Sequence, residues 1–137
     1  MADWTLHPQL AADTVIVGDL PLSRVLLMND ANYPWLILVP RNADLIEMID
    51  LNDAEQAQLM REVTLAARAL REITAFHKLN IAALGNMVPQ LHVHIIARFH
   101  HDAAWPKPVW GVMPARAYER EALDNLVQAL RRKIGCE

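Results

Sequence analysis

The sequence predicts an α+β fold: an antiparallel sheet of about five strands, one long helix and a C-terminal helix. Three observations carry this expectation. Short β-rich runs separated by turn formers follow one another up to Pro40. An amphipathic helical stripe starts at Asn52, and a second one precedes Gly135. Between them, Gln90-Leu91-His92-Val93-His94-Ile95-Ile96 alternates polar and apolar residues, the period of a strand with one buried face.

In chain order, residues 1–14 are mixed. Trp4 and Leu6 can pack as a cover, and His7-Pro8 suggests an extended or turning backbone. Thr14–Gly18, Arg24–Met28 and Trp35–Val39 read as three strands. Asp19-Leu20-Pro21 and the run from Asn29 to Pro34 supply the turns, so antiparallel hairpins follow. The third strand is apolar throughout, as a central strand covered on both faces should be. Asp44–Ile49 suggests a helical turn.

Asn52 with Glu55 three residues on has capping-box spacing. Leu59, Val63, Ala66, Leu70 and Ile73 then mark one helix face, with Arg61, Glu62, Arg68, Arg71 and Glu72 off it, and the helix is expected to end near Phe76-His77. Lys78–Leu84 reads as a fourth strand, broken at Gly85-Asn86. The alternating segment from Gln90 to about Ala97 is the fifth. Ala103–Pro114 holds too much proline for a regular element. Ala115–Lys133 is the last helix, with Leu123, Leu126, Val127 and Leu130 facing inward and Gly135 as its stop.

Its 137 residues suit one domain with a real core, expected to run 1–137. The net charge of −3 offers no basic surplus for a nucleic acid polymer, although a nucleotide-sized anion can bind through local donors. The single cysteine, Cys136, fits a reducing compartment. The opening residues Met1–His7 lack a basic start and an apolar run. Leu79–Ala97 is free of Asp, Glu, Lys and Arg but too polar to span a membrane. The expectation is a soluble, cytoplasmic protein.

On the fifth strand, Gln90, His92 and His94 share one face, with the two histidines about 7 Å apart along it. Two chemistries suit that pair. It can supply half of a tetrahedral metal site, although no glutamate follows within a few residues to extend the set. Or one neutral imidazole can attack phosphorus while the second donates to a phosphoryl oxygen. His7, His77, His100 and His101 are read as structural.

Pro89-Gln90-Leu91-His92-Val93-His94-Ile95-Ile96 resembles the signature of the histidine triad (HIT) family, three histidines alternating with apolar residues. Val25–Asp30 followed by Trp35–Pro40, the long helix, Gly85-Asn86 and the later Trp105-Pro106 and Trp110-Gly111 are similar too. The resemblance implies a HIT-like fold and a nucleotidyl hydrolase or transferase. His92 would attack the α-phosphorus of a nucleotide, His94 would hold a phosphoryl oxygen, and Asp30 would bond the ribose hydroxyls. Asn86 would help position phosphate. Leu27, Met28 and Ala31 would lie near the base, with Trp105 and Trp110 as lid residues.

Gln90 stands where the family has its first histidine, and an amide cannot gain a proton near neutrality. The resemblance therefore implies slow turnover of a dinucleoside polyphosphate or adenosine phosphoramidate, or turnover confined to good leaving groups, with a nucleotide-binding protein of little turnover as the alternative. It implies no required cofactor; a divalent metal on His92 and His94 stays open as an alternative. It also implies a homodimer through the long helices, with Ala66, Ala67 and Ala69 permitting close approach.

Overall fold

The computed structural model describes residues 3–136; Met1, Ala2 and Glu137, part of the expected 1–137 domain, lie outside the described residues. The elements are α1 (Pro8–Asp13), β1 (Thr14–Asp19), β2 (Ser23–Met28), β3 (Trp35–Pro40), α2 (Asp53–Thr74), β4 (Lys78–Ala82), β5 (Val93–Arg98) and α3 (Arg120–Ile134). A single 3-10 turn, Met48–Asp50, precedes α2.

The five strands form one antiparallel sheet in the order β1-β2-β3-β5-β4. Hairpins join the first three, as their turn residues require. The long α2 crossover then carries the chain past β5's place to form β4 at the edge, and β5 returns between β3 and β4. β3 is buried along its whole length, in keeping with its unbroken apolar run.

Alternation along the strands divides the interior in two. Leu36 and Leu38 of β3, and Val93, Ile95 and Ala97 of β5, face α2 and α3. Trp35, Ile37 and Val39, with Ile96, face the other way and are covered by Leu10 of α1, Tyr33, Ala104 and Val109. Trp4 and Leu6 pack on this second cluster, the cover expected of them. α2 starts at the expected capping box: Asn52 Oδ1 accepts the Glu55 N–H at 2.8 Å, and Glu55 accepts the Asn52 N–H at 3.0 Å.

Several boundaries differ from expectation for identifiable reasons. α1 was unexpected; Pro8 sits at its start, where a missing N–H costs nothing, and His7 Nδ1 caps it by accepting the Gln9 N–H. α2 ends at Thr74 because Ala75 turns left-handed. α3 begins at Arg120, later than Ala115, because the preceding segment bonds to the turn after β2. The Arg116 carbonyl accepts the Ala31 N–H, and Asn29 Oδ1 accepts the Tyr118 N–H.

β5 starts at Val93, so Gln90, Leu91 and His92 precede the ladder. The Leu91 N–H instead donates to the Leu45 carbonyl, outside the sheet. The alternation of faces nevertheless persists, since Leu91 joins the helix-side core.

Glu62, expected off the apolar stripe of α2, is 2% exposed and faces the sheet. Its two carboxylate oxygens accept the N–H groups of Leu22 and Ser23, both at 2.8 Å, which ties the β1–β2 turn to α2. Ala66 and Ala69 are likewise buried under the helix, so their small size lets α2 lie close on its own sheet. Arg98, at the end of β5, is 1% exposed and pairs with Asp102 at 2.8 Å. Among the described residues, no helix is long and apolar enough to cross a membrane.

Candidate active site

β5 and the residue pair before it deliver two imidazoles to the face opposite α2. His92 and His94 are 6% and 5% exposed, and their rings stand edge to face with centroids 4.9 Å apart. Ile37 of β3 and Ala82 of β4 flank His94 in the sheet, so its backbone is paired on both sides. Groups held this way have little freedom to drift.

The partners of the rings settle their tautomers. His92 Nδ1 lies 2.6 Å from the Gln90 carbonyl oxygen. A carbonyl can only accept, so Nδ1 carries a hydrogen, and in the neutral tautomer the lone pair is on Nε2. His94 Nδ1 lies 3.0 Å from the indole Nε1 of Trp35. An indole N–H can only donate, so His94 Nδ1 is the acceptor and Nε2 bears the hydrogen. His92, in its neutral tautomer, and His94, two residues on in β5, therefore offer a free Nε2 lone pair and an Nε2–H respectively. Burial first, then the neighbouring His92, pushes the pKa of His94 down to about 4, so it is neutral at ordinary pH.

Both rings line a cavity of about 330 Å³ whose walls come from Gln9, Leu10 and Asp13 of α1, Met28, Ile37, residues 84–88 and Trp110. Its lining is mainly apolar. Asn86 is on this wall, in the turn where Gly85 adopts φ +73°. A second cavity of about 400 Å³ shares Asp13, Met28 and Trp110 with the first and is lined further by Asn29, Asp30 and Trp35. Trp110 stands between them, its ring 5.1 Å from that of His94 and 5.8 Å from that of Trp35.

Asp30 is 5% exposed, and its Oδ1 accepts the N–H groups of Asn32 at 3.0 Å and Arg116 at 3.2 Å. It shapes its own turn and also pins the segment leading to α3. A turn role was legible for Asp30; the contact 86 residues away was not.

The structure thus brings His92, His94, Asn86 and Met28 to one cavity and Asp30 to its neighbour. It does not bring Leu27 there: Leu27 is fully buried in the helix-side core, one residue out of phase with Met28. Ala31 is outside both linings. Trp110 is at the site, whereas Trp105 lies over the Arg98 guanidinium, 5.6 Å from its ring centre.

Gln90 does not line either cavity. Its Oε1 accepts the His7 N–H at 2.8 Å and its Nε2 donates to the Thr5 carbonyl at 2.9 Å. Sequence reasoning missed Gln9, Leu10 and Asp13, for which a proline at a helix start was the available signal. It also missed Trp35 as the partner of His94, which nothing local encodes. Among the described residues, no group of three or more His, Cys, Asp or Glu side chains is placed to hold a metal ion.

Fold and site together define an α+β protein that presents two imidazoles, from β5 and the residue before it, to a largely apolar cavity. Residues 9–101 match the HIT domain family model, and the chain belongs to the HIT-domain family. It is 61% identical to a histidine triad protein from Bradyrhizobium japonicum, with 97% of this chain and 99% of that one covered at a TM-score of 0.95. A histidine triad protein from Marinobacter aquaeolei VT8 is 42% identical, with 98% of each chain covered and a TM-score of 0.95. An AP-4-A phosphorylase from Mycobacterium tuberculosis is 31% identical over 109 residues, covering 73% of this chain. This chain covers only 55% of that protein, so it spans about half the length of the curated relatives it matches.

Proposed function

We propose that this protein is a nucleotidyl hydrolase or transferase that cleaves a phosphoanhydride or phosphoramidate bond next to a nucleoside monophosphate. The observation that carries the reading is the bond from His92 Nδ1 to the Gln90 carbonyl, which in the neutral ring assigns the hydrogen to Nδ1 and the nucleophilic lone pair to Nε2. Nε2 attacks the α-phosphorus, a nitrogen–phosphorus bond forms, and the bond from phosphorus to the leaving group breaks with its electron pair on the leaving group. Water or another acceptor then attacks phosphorus and gives its proton to solvent, while the nitrogen–phosphorus bond breaks, releasing the nucleotide and returning the electron pair to Nε2. The His94 Nε2–H offsets charge on a phosphoryl oxygen in both steps.

In this reading Asn86 assists at the phosphate, Asp30 bonds the ribose hydroxyls, and Met28 contributes apolar surface near the base. Gln90, in the place of the family's first histidine, has no proton to give near neutrality. The leaving group must therefore depart as a stable anion or take its proton from solvent, which favours a pyrophosphate or a nucleotide. A relative named AP-4-A phosphorylase is in keeping with a dinucleoside polyphosphate-like substrate. The same amide favours a second reading, a nucleotide-binding protein with little turnover.

The test is incubation with a labelled dinucleoside polyphosphate in EDTA, followed by trapping of protein-bound nucleotide. Label that His92→Ala abolishes supports the covalent enzyme. Tight binding without label supports the binder. Activity lost to EDTA and restored by one metal would replace both with a metal-dependent reaction. The homodimer belongs to the same proposal: Met60 and Ile81, 63% and 52% exposed, leave apolar surface on the outer groove of α2 and β4. A sedimentation mass of one chain would remove it.

A further inference from the structure

We propose that Gln90 is a positioning residue that clamps the N-terminal segment and so builds one wall of the active-site cavity. The clamp stands on geometry alone; its service to nucleotide binding rests on the function proposed above.

A primary amide carries an acceptor and a donor side by side on one planar group. The backbone it meets offers the complement. The His7 N–H and the Thr5 carbonyl, two residues apart, are taken by Oε1 at 2.8 Å and Nε2 at 2.9 Å. An imidazole at position 90 has one donor and one acceptor on diverging ring edges, so it can reach one of these groups but not both. Glutamate has no donor for the Thr5 carbonyl. Glutamine is thus the side chain that this backbone segment selects.

What the clamp holds is specific. His7 is the cap of α1, and its Nδ1 accepts the Gln9 N–H at 3.1 Å. The next turn of chain supplies Gln9, Leu10 and Asp13 to the cavity shared by His92 and His94. The same residue orients the nucleophile from the other end, since the Gln90 carbonyl takes the His92 Nδ1–H. Gln90 therefore couples the position of the wall to the orientation of His92. It acts through its neighbours and touches no reacting atom.

The test compares wild type, Gln90→Ala, Gln90→His and His7→Pro. The last leaves Gln90 intact and removes both the N–H it binds and the imidazole that caps α1, at a φ of −54° that proline accepts. Amide hydrogen exchange is read at residues 9–13, adenosine monophosphate binding by calorimetry, and KM and kcat with the labelled dinucleotide. All three variants are expected to raise exchange at residues 9–13 by about fivefold or more, the scale of one lost hydrogen bond. They are expected to weaken nucleotide binding by a similar factor, with KM rising more than kcat falls.

Unchanged exchange in Gln90→Ala overturns the clamp, as does exchange raised in His7→Pro alone, which traces to the lost cap; raised exchange in Gln90→Ala with undiminished nucleotide affinity overturns its role at the site. A Gln90→His variant that turns over faster with exchange unchanged returns position 90 to the catalytic row. A wild-type protein that binds no adenosine monophosphate defeats the nucleotide reading, and the exchange comparison still decides whether the clamp exists.

Discussion

The Trp35 indole donates to Nδ1 of His94 at 3.0 Å, and this bond exists only while His94 is neutral. An imidazolium carries a hydrogen on both nitrogens, so protonation would set two N–H groups against each other. The buried indole therefore selects the tautomer of the ring that faces the cavity.

This fixes the sign of a pH effect. The His94 pKa falls from an ordinary 6.5 to about 4 in the folded protein, through burial and then His92. Between those values the unfolded chain binds more protons than the folded one, so stability is fully present above pH 6.5 and declines as pH drops toward 4. The contribution is on the order of 3 kcal/mol at most. Urea unfolding at pH 7.5 and pH 4.5 should show this loss, and His94→Phe, which cannot titrate, should show less of it. An equal loss in both proteins would place the effect elsewhere.

Asp30 separates a structural from a binding role. Asp30→Asn keeps an oxygen for the Asn32 and Arg116 N–H groups but removes the charge. It should weaken nucleotide binding by about tenfold, the scale of a hydrogen bond to a charged group, with stability nearly unchanged. Asp30→Ala should also lose about 2 kcal/mol, because the turn and the segment before α3 come apart. Calorimetric titration and thermal melts distinguish the two. Undiminished affinity in Asp30→Asn would leave Asp30 a turn residue only.

Glu62 should behave as a keystone of the hairpin. Glu62→Ala strands the buried N–H of Ser23 and the N–H of Leu22, and is expected to cost about 3 kcal/mol in urea unfolding. Glu62→Gln should cost roughly half as much, since one oxygen can still accept. A loss below about 0.5 kcal/mol in Glu62→Ala would mean that water replaces the carboxylate freely.

Local patterns made most of the fold legible. The capping box at Asn52, the alternation around His92 and the all-apolar third strand each carry their meaning within a few residues. Glu62 was legible in principle, three residues after Leu59 and four before Ala66, but its charge hid it. The boundaries that moved did so where a distant partner outbid local preference, as when Asn29 and the Asp30 turn drew out the first turn expected of α3. Within the site, the two histidines could be read directly, and Met28 only through the resemblance, beside Leu27 and Ala31 that line neither cavity. Their supports could not: Trp35 lies 59 residues from His94 and His7 lies 83 from Gln90, separations that no local period records.

The alternation that runs through β5 ties two kinds of tolerance together. The same short stretch of chain that fills the helix-side core also aims the imidazoles, and a slip of one residue would exchange the two roles. Changes beneath α2, far from any ligand, can therefore be felt as altered chemistry before they are felt as unfolding. The strand behind the cavity is thus held by two demands at once.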